Sequence, residues 1–164
     1  MRELVSLRSV VRVAAVLRRI VWFVLRPRTI GAQVLVLDDR GAVLLVRHSY
    51  DRGWLRLPGG GVKRSETFAQ CAARELREET SLDVSDPNSL ELLGVYTGRE
   101  GNQTAFITTF VAPAGSWTGK PTSSAEIDTA EFHPVDDLPA DTSPATRARV
   151  IEAVSGQRGL SGRW

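Results

Sequence analysis

Strands, then a helix, then strands, then a second helix: this order along the chain predicts an α+β or α/β layered domain. Three observations carry it. β-rich runs punctuated by turn residues fill residues 29–57 and 90–135. A capped amphipathic stretch, Thr67–Leu82, separates them, and Thr146–Val154 reads as a second helix near the end. With 164 residues and no internal repeat, one domain with one substantial core is expected.

Composition narrows the class. The apolar and charged fractions, 42% and 24%, are those of a soluble globular chain. A lone cysteine, Cys71, excludes an intramolecular disulfide and reads as a small buried hydrophobe. The net charge of +2 is unevenly spread. Residues 1–28 hold seven Arg and one Glu, a balance of +6, so the other 136 residues carry −4. The basic character therefore belongs to the N-terminal segment, and no nucleic-acid-binding face is expected on the body.

Within that segment, residues 3–25 are rich in Val, Leu and Ala interrupted by arginines, and Arg8, Arg12, Arg19 and Arg26 form one stripe on a helix. Its longest uncharged run, Ile20–Leu25, is far short of the ~20 residues a membrane span needs. Arginines splitting the apolar stretch also fit a secretory signal poorly. Two readings stand: a peripheral contact with an anionic membrane through Trp22 and Phe23, or packing on the domain or on a second subunit as a homodimer. Packing is favoured, and the chain is expected to be cytoplasmic. Pro27 ends the helix, giving units 1–28 (basic amphipathic helix), 29–155 (main domain) and 156–164 (flexible tail).

The domain opens with Ala32–Leu37, the turn Asp38-Asp39-Arg40-Gly41 and Val43–Arg47, which read as a hairpin. Trp54–Leu57 is a short strand leading into Pro58 and the glycines 59–61, where backbone can approach a ligand closely. Thr67-x-x-Gln70 has the form of a capping box. Phe68, Ala72 and Leu76 supply the buried face of the helix that follows. Leu90–Tyr96, Thr104–Val111 and Ala130–Val135 read as strands. The loop 112–125 is long enough to expect function or mobility.

The chemistry is concentrated in Gly60–Leu82. On a helix, Glu75, Glu78 and Glu79 can converge, and three crowded carboxylates repel. Oxygen-only ligands suit a hard cation such as Mg²⁺ or Mn²⁺. A solvated Glu/Arg helix would explain the charges, but neither the Pro58-Gly59-Gly60 approach nor Glu66.

This stretch resembles the Nudix box, G-x5-E-x7-R-E-U-x-E-E-x-G-U with U aliphatic. Gly60, Glu66, Arg74, Glu75, Leu76, Glu78, Glu79 and Leu82 match it, and Ser81 stands in place of the last Gly. The resemblance covers about residues 29–155. It implies the Nudix fold, a mixed sheet between helices in α/β/α layers, here with the N-terminal helix added. It also implies divalent-metal-dependent hydrolysis of a diphosphate in a nucleoside diphosphate linked to another moiety. An NDP-sugar, ADP-ribose and a nucleoside triphosphate all stay open as substrates. A non-catalytic nucleotide-binding regulatory domain is the alternative.

Carried over residue by residue, the resemblance makes Glu75, Glu79 and Glu78 metal ligands, with the backbone carbonyl of Gly59 as a further one. Arg74 orients the carboxylates, Glu66 and Gly60 support the helix start, and Glu126 is the expected general base, with Glu131 as its rival. Glu126, Arg74 and Glu78 are thus the candidate catalytic residues. Arg47, Tyr50 and Arg56 are the candidate substrate contacts, and His48 and Arg99 also flank the expected cleft. His48 and His133 lack metal-ligand spacing, so no zinc site is expected. Trp54 is expected in the core. Tyr96 lies only roughly where dinucleoside polyphosphate hydrolases place a tyrosine.

Overall fold

The computed structural model describes residues 28–100 and 103–164; the expected helix over residues 3–25, with its dimer or membrane contact, lies outside the described residues. The elements run β1 (Arg28–Val36), β2 (Val43–His48), β3 (Asp51–Arg56), β4 (Gly59–Gly61) and α1 (Phe68–Thr80). A 3₁₀ turn at Pro87–Ser89 precedes β5 (Glu91–Glu100), β6 (Gln103–Ala112), β7 (Ile127–His133), α2 (Pro144–Val154) and β8 (Leu160–Arg163). Among the described residues no helix is long and apolar enough to cross a membrane.

The strands form two sheets. A mixed five-stranded sheet runs β4-β1-β6-β5-β8, with β1–β6 and β5–β8 parallel. An antiparallel three-stranded sheet runs β3-β2-β7. The hairpin expected between β1 and β2 is therefore corrected. Its turn is real, since Asp38 Oδ1 accepts the backbone N–H groups of Arg40 and Ala42. The two strands share only the Leu37–Val43 bridge before they part into different sheets.

Burial on both faces is the physical reason. Val34 and Val36 of β1 and Leu44 of β2 point to a core under α1, with Ala72 and Leu76. Leu35, Val43 and Leu45 point the other way, to a core under α2 with Val150 and Ala153. Strands covered on both sides read as continuous apolar runs, and each then takes partners on both edges. The result is the α/β/α layering of the Nudix fold.

Helix α1 starts as its sequence predicts. Gln70 N–H donates to Thr67 Oγ1 while Thr67 N–H donates to Gln70 Oε1, a reciprocal capping box. It ends on Ser81, whose φ of 62° lies in the left-handed region. Glycine meets that demand at little cost. Here the Ser81 and Thr122 hydroxyls share a 2.7 Å hydrogen bond in partial compensation.

Three other expectations need correction, and the long loop has a defined seat. Phe68 is 43% exposed, because Cys71, Ala72, Ala73 and Leu76 already fill the buried face of α1. Trp54 is 41% exposed, since Leu55 is the β3 residue turned to the core. The segment 156–164, expected as a loose tail, contains β8, and the Trp164 N–H extends its pairing by donating to Thr97 O. The loop 113–126 is tied to the end of α1. Asp83 and Thr118 exchange backbone bonds, Thr122 N–H donates to Thr80 O, and Trp117 Nε1 donates to Leu37 O.

Candidate active site

Strand β4 is a run of three glycines lying between β1 and α1. A Cβ on Gly59 would stand 2.6 Å from Ala32 O and 2.7 Å from Gln33 Cα, so backbone packs there where a side chain would go. A Cβ on Gly60 would stand 2.4 Å from Glu75 Oε1. The missing side chain is what lets the Glu75 carboxylate settle onto the strand.

Arg74 organises the acidic face of α1. Its Nε and Nη2 donate to the two carboxylate oxygens of Glu66 at 3.0 and 2.8 Å. Its Nη1 donates to Glu75 Oε1 at 2.7 Å and to Glu78 Oε2 at 3.0 Å. Its Nη2 also reaches Gly61 O at 3.1 Å. Only a planar, multi-donor guanidinium can serve three carboxylates and a carbonyl from one position.

The electrostatics follow from these contacts. Arg74 and the Lys63 N–H bind Glu66 and hold its carboxyl down to about 2. The same bonds, with Glu66 foremost, push Arg74 above its ordinary range. Burial pushes Glu75 up against the opposing pull of Arg74, and repulsion from Glu79 and Glu78 adds to the rise. Cys71 is pushed up to about 11, chiefly by burial, which fits its expected role as an inert buried side chain.

Glu79 is the most buried of these acids, 5% exposed. Its Oε1 lies 2.8 Å from His48 Nε2, whose N–H donates to the carboxylate, and its Oε2 accepts the Gly59 N–H at 3.1 Å. Sequence reasoning placed His48 beside the cleft but missed this bond. No spacing rule links residues 31 apart; β2 brings the ring against α1 only in the folded domain.

Among the described residues, no three His, Cys, Asp or Glu side chains are already gathered as a metal cage. The carboxylates are instead turned onto Arg74, His48 and the Gly59 N–H. The donor set still fits a hard cation. Three carboxylates, Glu66, Glu75 and Glu78, share one arginine, and Glu79 and Glu78 raise the pKa of Glu75 by repulsion. Excess negative oxygen of this kind is what Mg²⁺ or Mn²⁺ binds.

Beside this cluster lies a cleft of about 660 Å³. Its floor includes Gly59, Gly60 and Gly61, and its walls carry Gln33, His48, Tyr50, Arg56, Arg99, Phe106 and Trp164. Tyr50 and Arg56 thus line the cleft. Arg47 does not: its guanidinium binds Asp141 and holds that carboxyl below its usual range. Alternation along β2 puts His48 toward the cleft and Arg47 away from it. Phe106 and Trp164 were not foreseen, because both reach the cleft through strand pairing that leaves no local signal.

Glu126 precedes β7 and is exposed. Its carbonyl accepts the Ser49 N–H at 2.9 Å, which seats its backbone beside His48. Glu131 pairs with Leu45 in mid-strand, while His48 pairs with Ile127, so Glu131 lies farther along β7 from the site than Glu126. Tyr96 is 1% exposed and donates to Glu152 Oε2, a core role rather than a cleft role.

Comparison with known proteins agrees with this geometry. Residues 27–154 match the family model described as the NUDIX domain. An uncharacterized Nudix hydrolase of Bacillus subtilis, YvcI, is 34% identical over 110 residues, which are 64% of this chain and 65% of that protein. An ADP-ribose pyrophosphatase of Methanocaldococcus jannaschii is 27% identical over 106 residues, 63% of this chain and 61% of that one. The chain thus spans somewhat less than two thirds of these relatives. In fold, it resembles the crystal structure of a MutT NUDIX hydrolase from Burkholderia pseudomallei. The TM-score is 0.65 at 24% identity, over 77% of this chain and 98% of that one. With the family model spanning most of the chain and the box residues gathered around Arg74, the protein belongs to the Nudix family.

Proposed function

We propose that the chain is a divalent-metal-dependent hydrolase that cleaves a diphosphate bond in a nucleoside diphosphate linked to another moiety. One observation carries the reading: Arg74 aligns Glu66, Glu75 and Glu78 beside the buried Glu79, next to a glycine-floored cleft large enough for a nucleotide. The name of the archaeal relative, an ADP-ribose pyrophosphatase, points to the same bond type.

In this reading Glu75, Glu79, Glu78 and the Gly59 carbonyl hold Mg²⁺ or Mn²⁺. Such a cation neutralises diphosphate charge and makes water more acidic. The chain's own groups do the rest. The Gly59–Gly61 backbone lets the diphosphate approach α1 without steric obstruction. Arg56 and Arg99 meet phosphate oxygens from the cleft walls, and Tyr50 covers the nucleoside. Arg74 keeps the carboxylates in register, and His48 fixes the rotamer of Glu79. Glu126, from the loop beside His48, takes the proton of the attacking water. Catalysis of this kind rests on positioning and electrostatics.

The test is Glu79→Gln, which keeps the size of the side chain, removes its charge and leaves one of its two accepting oxygens. Turnover of a panel of nucleoside diphosphate derivatives with Mg²⁺ should fall by about 100-fold or more, with the domain still folded and melting cooperatively. Wild-type turnover in this variant would sink the assignment. Nucleotide binding without turnover in the wild-type chain would favour the regulatory alternative.

A further inference from the structure

A second cavity, of about 410 Å³, opens beside the cleft. The two share three lining residues, Arg56, Ser143 and Trp164, so they form one continuous groove with a waist. Each lobe is of the size that holds one nucleotide-sized ligand.

The second lobe is built, not incidental. Segment 141–143 runs alongside β3: Leu55 N–H donates to Asp141 O, and Ser143 N–H donates to Leu55 O. This places the start of α2 next to Trp54 and Arg56. On the other side, Trp164 is held by its N–H bond to Thr97 O and by Gly98. A Cβ at Gly98 would stand 2.7 Å from Trp164 Cβ, so the glycine makes room for the indole. The Arg149 guanidinium stacks 3.7 Å above the Tyr96 ring centroid and 5.6 Å from that of Trp164, which backs the wall.

The chemistry of the lining is selective. It holds two tryptophans, Trp54 and Trp164, and three arginines, Arg56, Arg149 and Arg163, with no carboxylate. Arg149 is already paired with both oxygens of Glu152. Arg56 and Arg163 add positive charge to the lining, and Trp54, 41% exposed, offers part of its ring. Faces of this kind stack on nucleobases, and cations beside them take phosphates. A neutral sugar would use neither feature.

We propose that this lobe binds the moiety on the far side of the scissile diphosphate, and that this moiety is a second nucleoside carrying an aromatic base. Arg56, three residues before Gly59 and lining both lobes, stands at the waist where the diphosphate joins the two halves. The inference rests on the hydrolase reading above and narrows its substrate to two-headed nucleotides.

Two measurements on the full chain test it. In steady-state assays with Mg²⁺, Trp54→Ala should raise KM for a dinucleoside diphosphate about ten-fold with kcat kept. KM for a nucleoside diphosphate sugar should stay put, and Trp54→Phe should restore most of the loss. Equal shifts for both substrates, or none for either, would overturn the proposal. In a chelator, so that nothing turns over, the same dinucleotide is titrated against both proteins by calorimetry. Binding about ten-fold weaker in Trp54→Ala supports the second lobe even if hydrolysis itself is never found, whereas equal affinities refute it.

Discussion

His48 and Glu79 meet in a 2.8 Å hydrogen bond between two buried side chains, one from β2 and one from α1. It couples the three-stranded sheet to the helix at the point where a cation would bind. Bonds to a charged group contribute about 1.5–3 kcal/mol, and an outer partner of a metal ligand commonly matters 10–100-fold. His48→Ala is expected to cost about 2 kcal/mol of stability and to raise the Mg²⁺ concentration for half-activation about ten-fold. His48→Gln, which keeps a donor, should recover part of both. Denaturant melts and metal titrations read the two effects separately.

The two neighbouring glycines should fail differently. Gly60→Ala drives its methyl into the tip of the Glu75 side chain, which can swing away. The fold should survive while metal-dependent turnover drops by at least about ten-fold. Gly59→Ala meets the backbone of Ala32 and Gln33, which cannot yield, so it should destabilise the domain by about 1–3 kcal/mol or more. Comparing melting temperature with turnover in the pair checks the contrast. If Gly60→Ala were fully active, the Glu75 assignment would be wrong.

Arg74→Lys is not a conservative change here. An ammonium cannot reproduce the two-pronged bond to Glu66 together with the contacts to Glu75 and Glu78. Turnover should fall about 10–100-fold. The partner also predicts a pH effect. Glu66 is held down to about 2 from an ordinary 4.5, so its contribution is fully present above pH 4.5 and is lost as pH falls through about 2. Glu66→Gln should lower stability at neutral pH and flatten the acid limb of the stability profile, measured by urea melts from pH 7 to 2.5.

Ser81→Gly should stabilise the domain modestly. It relieves a φ of 62° on a residue with a side chain, which is worth up to about 1 kcal/mol, and gives up an exposed hydrogen bond to Thr122 of smaller value. Activity should not change, because Ser81 supplies backbone geometry rather than a ligand. A lower melting temperature in this variant would show that the Thr122 bond matters more than the backbone strain.

What the sequence reveals and conceals follows from the range of the interactions. Thr67 and Gln70 cap α1 within four residues, and Ala72 and Leu76 bury one helical face, so the helix and its acid side were legible from spacing alone. The turn at Asp38–Gly41 was legible too. The parting of its strands was not, because that depends on which distant edges β1 and β2 find. Phe68 and Trp54 carry apolar side chains to the surface, and nothing in their neighbours announces this. The site divides along the same line. Arg74, Glu66, Glu75 and Glu78 lie within one box, whereas His48, Phe106 and Trp164 arrive by tertiary pairing.

The parallel pairing of β1 with β6 has a consequence for how the chain assembles. Gln33 donates to Thr109 across 76 residues, whereas β5 and β6 are neighbours in sequence. The antiparallel β5–β6 ribbon has the short loop expected to close early, whereas β1 must close a long loop to reach it, the kind of step that slows folding. β8, far later in the chain, pairs with the other edge of β5. While the chain emerges from a ribosome, the box helix is complete long before Trp164 is made. A nascent chain paused before Leu160 would present an unpaired β5 edge to its neighbours. The Trp164 wall of the groove is therefore made well after the box helix that borders the cleft.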